Sequence, residues 1–142
     1  MPEYQPSPTD WVAKQVELYE STDGREGNTL RGLPIVLVTH HGRQTGAVRK
    51  TPLMRVADGK NYILVASMGG APKNPVWYHN LKAGPDITVR DGAKVQAMRA
   101  RLVMDPSERA RVWALAVAAF PNYADYEKRT TRVIPVFVAE PV

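Results

Sequence analysis

Turn signals punctuate this chain so closely that only short strands fit between them. Gly42 and Gly46 bracket one turn, Asp58-Gly59-Lys60-Asn61 spells a second, and Asp91-Gly92 marks a third. The stretches they bound, Leu33–His40, Val48–Ala57, Asn61–Met68, Asp86–Arg90 and Lys94–Met104, read as strands, and Val133–Ala139 as a sixth. Met98, Ala100, Leu102 and Met104 fall at period two, on one face of the fifth. Consecutive strands joined by tight turns pair antiparallel. Six such strands in a chain of 142 residues favour a closed or split barrel over an open sheet.

Three or four helices are expected around these strands. Trp11, Val12, Val16 and Tyr19 sit close to helical spacing in Thr9–Glu20, with Thr9 or Asp10 as cap, and Ser21–Gly32 follows as a glycine-containing loop. Asn74-Pro75 opens a short helix, Asn as cap and Pro at the first helical position, and Gly84-Pro85 stops it. Asp105-Pro-Ser-Glu108 opens another that runs to Phe120-Pro121, and Tyr123–Arg129 is a further helical piece. The expected organisation is one α+β domain over 1–142, with an N-terminal helix and loop in 1–32 and the barrel in 33–142. Alternating strand–helix units and Gly-x-Gly-x-x-Gly are both absent, which argues against a Rossmann fold.

Charge is distributed unevenly. Residues 27–85 hold eight basic side chains and the single acid Asp58, a local +7 in a chain of net +5; residues 1–26 hold six acids and two bases. A basic middle points to an anionic ligand held at one place. Two turns there are built for anions. Gly42-Arg-Gln-Thr-Gly46 with Arg49 places two guanidinium forks at a hairpin end, and Ser67-Met-Gly-Gly-Ala-Pro-Lys-Asn74 joins a strand to a helix through a glycine pair. Either could also be an ordinary connection, and neither names its ligand.

Other chemistries fit poorly. With no cysteine there is no thiolate nucleophile or thiolate metal site. His40 and His41 are adjacent, so a strand points them to opposite faces, and no acidic cluster accompanies them; no metal is expected. Ser67 lacks a Gly-x-Ser-x-Gly elbow. The longest apolar run, Leu33–Val38, is far short of the ~20 residues a membrane span needs. The first residues show neither a basic nor an apolar signal region, so a soluble cytoplasmic protein is expected. Phe120, Tyr123 and Tyr126 share a helix face, which reads either as a core stripe or as an aromatic wall over a flat ligand.

The strings Gly42-Arg-Gln-Thr-Gly-Ala-Val-Arg49, Thr51-Pro-Leu53, Ala66-Ser-Met-Gly-Gly-Ala-Pro-Lys-Asn-Pro-Val-Trp-Tyr-His-Asn-Leu81, Phe120-Pro-Asn-Tyr-Ala-Asp-Tyr126 and Arg132-Val-Ile-Pro135 together resemble the deazaflavin-dependent nitroreductase family of actinobacterial oxidoreductases, from about Leu33 to the C-terminus. The resemblance implies a split β-barrel like that of the FMN-binding pyridoxamine-phosphate oxidases. It also implies coenzyme F-420, an 8-hydroxy-5-deazaflavin with a phosphodiester and a polyglutamate tail. By position, Arg43, Gln44, Thr45 and Arg49 would hold the phosphate and tail. Pro52, Leu53, Ala66, Met68, Val76, Trp77 and Asn80 would line ring and linker, and Ser67, Gly69 and Lys73 of the glycine-pair turn would also bind the coenzyme. Met54, Ser67, Phe120, Tyr123 and Tyr126 would border the substrate, with Tyr123, Tyr126 or Ser67 as proton donor. Gln44 and Met68 stand where family members often carry Lys, and Met54 and Phe120 where they often carry Tyr; those tyrosines are associated with nitroimidazole reduction.

The expected reaction is hydride transfer from the reduced coenzyme to a quinone, an activated enone or a nitroaromatic. The alternatives are an FMN-dependent reductase on the same barrel, a deazaflavin carrier without turnover and, more distantly, a basic nucleic-acid-binding module. The expected partner is a small molecule and not nucleic acid, a monomer is favoured over a dimer, and Trp11, Val12 and Tyr19 would allow the first helix a peripheral membrane contact.

Overall fold

The computed structural model describes residues 3–142. Four α-helices surround one curled antiparallel sheet: α1 Asp10–Ser21, α2 Val76–Ala83, α3 Pro106–Ala119 and α4 Asn122–Arg129. The strands are β1 Thr29–Leu30, β2 Leu33–His41, β3 Val48–Met54, β4 Ala57–Asp58, β5 Asn61–Val65, β6 Asp86–Asp91, β7 Lys94–Leu102 and β8 Val136–Pro141. They run in the order β1-β2-β6-β7-β8-β5-β4, with β3 paired to β2 off that path.

Strands β2, β5 and β8 are buried on both faces, which is why β2 is almost unbroken in apolarity. Ile35 and Leu37 enter one core with Ile63, Val65, Val136 and Val138, while Val36 and Val38 enter a second with Leu64, Phe137 and Ala139. The first core is covered by α1 through Val16 and Tyr19, by α3 through Val112 and Ala116, and by α4 through Tyr123 and Tyr126. The second is plugged by α2, whose Trp77 and Leu81 pack with Met98, Val89 and Ile87. Along these strands period-two alternation thus feeds two cores, whereas β7 alternates buried Met98 and Ala100 with exposed Ala97, Arg99 and Arg101.

Several boundaries differ from the sequence expectation. The sheet has eight strands, not six, because two-residue β1 and β4 extend it; β1 lies in the expected loop and pairs with Leu33 and Pro34, so the sheet begins before residue 33. The second expected strand breaks after Met54, and the third stops at Val65, where Met68–Gly70 turns as a 3₁₀ helix. β7 ends at Leu102, leaving Met104 79% exposed and off the expected face, and β8 starts at Val136. At α2 the cap is Pro75, in extended conformation, so Asn74 lies one residue outside; its side chain is drawn instead to Arg132.

The start of α3 matches its sequence signature: Asp105 accepts from the Glu108 amide at 3.0 Å. Asp105→Ala removes that partner from the first helical turn and is expected to lower stability by about 1 kcal/mol in urea unfolding.

α1 is tied to the far side of the sheet. The Tyr19 hydroxyl receives the Gly92 amide and donates to the Arg90 carbonyl at 3.3 Å. Ahead of it, the chain runs as a strap along β3, with the Gln5 amide on the Val48 carbonyl at 2.8 Å and the Val48 amide on the Glu3 carbonyl at 2.9 Å. Three acids within residues 3–26 are paired with bases: Asp10 with Lys14 at 3.0 Å, Glu20 with Lys50 at 2.7 Å and Asp23 with Arg90 at 2.7 Å.

Candidate functional site

Two adjoining cavities open between the β2–β3 hairpin, α2 and the N-terminal strap. One, about 400 Å³, has an apolar wall of Trp11, Val12, Pro52, Val76 and Trp77. The other, about 390 Å³, is lined by Gly42, Arg43, Gln44, Thr45 and His79, with Gln5 from the strap. Arg49, Val76 and Asn80 border both, so the two form one groove with an apolar half and a basic half. Among the described residues neither Arg43 nor Arg49 has a carboxylate partner. Two guanidiniums beside an apolar slot suit a flat ring carrying an anionic extension.

The hairpin end is held by its own backbone. The Gly42 amide reaches the Ala47 carbonyl and the Gly46 amide the Gly42 carbonyl, each at 2.8 Å, and Thr45 Oγ1 accepts from the Ala47 amide at 3.2 Å. The Arg43 amide then donates to Asn80 Oδ1 at 3.0 Å, docking the loop on α2. Asn80, 4% exposed, places its Nδ2 3.3 Å from His40 Nδ1, and His40 Nε2 lies 2.9 Å from Thr51 Oγ1. His40 is 2% exposed. Burial, then the neighbouring Arg49 and His41, push it down to about 4, so it is neutral at pH 7. His41 points to solvent from the opposite face, as alternation requires.

The glycine-pair turn does not line this groove. Met68, Gly69 and Gly70 have φ of 48°, 65° and 81°, three consecutive residues in the left-handed region. Arg132 holds the segment: Nε donates to the Ala71 carbonyl at 2.8 Å, Nη2 to the Ser67 carbonyl at 2.6 Å, and Nη1 to the Ala66 carbonyl and Asn74 Oδ1 at 3.2 and 2.8 Å. This guanidinium works against carbonyl dipoles alone, and partial burial holds it below the usual arginine range. Ser67 is buried, while Met68 is 57% exposed.

Of the residues expected at the coenzyme, the groove gathers Arg43, Gln44, Thr45, Arg49, Pro52, Val76, Trp77 and Asn80. Leu53 packs against the α2-side core, Ala66 is fully buried, and Ser67, Met68, Gly69 and Lys73 ride on the Arg132-held segment, none of them lining the groove. Met54, Phe120, Tyr123 and Tyr126 all lie in the core under α3 and α4. There Phe120 meets Tyr123 edge to face at 4.9 Å and Tyr126 at 6.0 Å. Burial, with a smaller contribution from Tyr126, pushes the Tyr123 phenol up, so it stays protonated at neutral pH. No group of three or more His, Asp or Glu is placed to hold a metal among the described residues. No described helix is long and apolar enough to cross a membrane.

Sequence reasoning missed the strap residues Gln5, Ser7, Pro8 and Thr9, and also His40, Lys50, Thr51 and His79. Nothing local marks the strap. His40 and Thr51 were reachable: once the hairpin pairs His40 with Arg49, Thr51 is the diagonal neighbour on the same face.

The fold and groove define a barrel-type small-molecule site, and comparison with known proteins narrows the class. Residues 11–141 match the model of the F420H(2)-dependent quinone reductase family, and the chain belongs to that family. The match reaches back to Trp11, so the likeness includes α1 and does not begin near Leu33. An F420H(2)-dependent quinone reductase of Mycobacterium tuberculosis is 42% identical over 125 residues, 85% of this chain and 83% of the relative. A solved structure of an F420-H2 dependent reductase is 49% identical over 75% of this chain and 94% of its own, with a TM-score of 0.71. Another, described as a domain-swapped dimer, is 48% identical over 94% of this chain and all of its own, with a TM-score of 0.74. The split-barrel fold itself extends further, to a pyridoxinephosphate oxidase family protein of Clostridium acetobutylicum at 16% identity and a TM-score of 0.51.

Proposed function

We propose that the groove holds coenzyme F-420 and that the protein uses it to reduce an electron-poor small molecule, a quinone first among the candidates. The observation that carries this is the pair of unpartnered guanidiniums, Arg43 and Arg49, at one end of an apolar slot. When bound, the deazaflavin supplies a hydride from C5 of its ring, chemistry that belongs to the coenzyme. The chain positions and screens it. Arg43 and Arg49, with Gln44 and Thr45, hold the phosphate and the first tail carboxylates. Pro52, Val76, Trp77 and Asn80 flank the ring and linker; Leu53, Ala66, Ser67, Met68, Gly69 and Lys73, also expected at the coenzyme, do not line the groove. Met54, Phe120, Tyr123 and Tyr126, expected at the acceptor, lie instead in the core under α3 and α4, and Ser67 is buried off the groove, so solvent is the proton source for the reduced product.

Titrating the purified protein into the coenzyme and following its fluorescence tests this reading. Micromolar or tighter binding is expected. Arg49→Ala should weaken it at least tenfold, since a charge-assisted hydrogen bond contributes about 1.5–3 kcal/mol. Failure of the wild-type protein to bind in that range overturns the proposal, and a flavin colour on the purified protein would favour FMN instead. Oxidation of the reduced coenzyme by menadione separates an enzyme from a carrier. For the assembly, the relative described as a domain-swapped dimer supports a dimer over the monomer expected from sequence, and light scattering decides between them.

A further inference from the structure

The hydrogen bonds around His40 have a direction, and the direction ends in the groove. The Arg43 amide can only donate, so the Asn80 atom 3.0 Å away is the oxygen. The other end of that side chain is therefore NH₂, and it faces His40 Nδ1 at 3.3 Å. A donor there requires a lone pair on Nδ1. The ring proton of a neutral His40 is thus on Nε2, which points at Thr51 Oγ1 from 2.9 Å. Thr51 accepts that proton, and its own hydroxyl hydrogen is left for another partner; both residues border the apolar cavity.

We propose that the Arg43–Asn80–His40 chain fixes the Thr51 hydroxyl as a hydrogen-bond donor into the groove, making Thr51 a recognition residue for a carbonyl or other acceptor on the bound ring and His40 its positioning residue. This rests on the coenzyme reading for the identity of the ring. It adds a preference: an acceptor at that edge gains the hydroxyl hydrogen, whereas a donor is left only the one lone pair of Thr51 Oγ1 that His40 does not occupy. The arrangement also couples the two halves of the groove, since the loop carrying Arg43 is what sets the proton at its apolar end.

Two independent measurements test it. Long-range nitrogen–proton NMR of the ligand-free protein at pH 7 is expected to show His40 neutral with the proton on Nε2. A ring protonated on Nδ1, or on both nitrogens, overturns the chain whatever the ligand. In the second, Thr51→Val is expected to weaken coenzyme F-420 about tenfold, the loss of one useful hydrogen bond, while Thr51→Ser stays within about twofold. His40→Leu should reproduce part of the loss and His40→Gln, whose amide can still donate to Thr51, should restore it, with unfolding midpoints confirming that each variant is folded. Unchanged affinity in Thr51→Val overturns the donor role. Absence of binding by the wild-type protein overturns the coenzyme reading and the recognition role with it, and the tautomer spectrum still decides the chain.

Discussion

Gly70→Ala is expected to lower stability by about 2–4 kcal/mol, and Gly69→Ala by only about 1 kcal/mol. Both residues have positive φ, 81° and 65°, so both variants share the conformational penalty of a Cβ in the left-handed region. They differ in what that Cβ meets. At Gly69 nothing lies within 4 Å, whereas at Gly70 it would stand 2.7 Å from the Tyr126 carbonyl oxygen and 3.0 Å from Arg129 Cβ. The first of these atoms is helix backbone, so α4 itself must shift. Since α4 carries Tyr123 and Tyr126 into the core, the disturbance reaches the aromatic cluster. Urea unfolding of the two variants side by side checks this. Equal losses would mean that the turn yields more easily than α4.

Acid should unfold this protein partly through one residue. The unfolded chain takes up a proton on His40 near its ordinary value of 6.5, while the folded ring resists until about 4. The neutral ring's contribution is therefore complete above pH 6.5 and is lost as pH falls from there toward 4, in total roughly 3 kcal/mol. Comparison with His40→Gln isolates the effect, because the two proteins differ in that one titratable group. Wild type should lose most of that 3 kcal/mol relative to the variant between pH 7.5 and pH 4.5. Parallel pH curves would show that His40 accepts a proton in the folded state without cost.

What the sequence revealed follows from the range over which each signal acts. The turns and the Asp105 cap are local, and each was legible from a few adjacent residues. The split barrel and the basic half of the groove were legible too, because glycine spacing and the cluster of Arg43, Gln44, Thr45 and Arg49 are contiguous features. Long-range placements were not. The strap pairing Glu3 and Gln5 with Val48 leaves no pattern in either segment. Asn74 looked like a cap because capping residues are read by type, yet its side-chain oxygen is taken by Arg132, far along the chain. The aromatic stripe of Phe120, Tyr123 and Tyr126 had two readings, and spacing alone does not tell a wall from a core.

The Arg132-held turn has one more consequence, for the order in which this molecule comes apart. The β2–β3 and β6–β7 pairs are closed by short connections, but β5 and β8 meet from distant parts of the chain, Val65 opposite Val136. Arg132 lies just before β8 and grips the chain just after β5, and the Ala66 amide is tied to the Pro135 carbonyl at 2.9 Å. The turn is thus fastened across the last seam to zip and the costliest in loop entropy. The Ala66 amide, bonded to the Pro135 carbonyl, cannot open to solvent while that seam is shut. In hydrogen exchange that amide, at the edge of what looks like a surface loop, would be protected as long as the barrel is, and would be released with it.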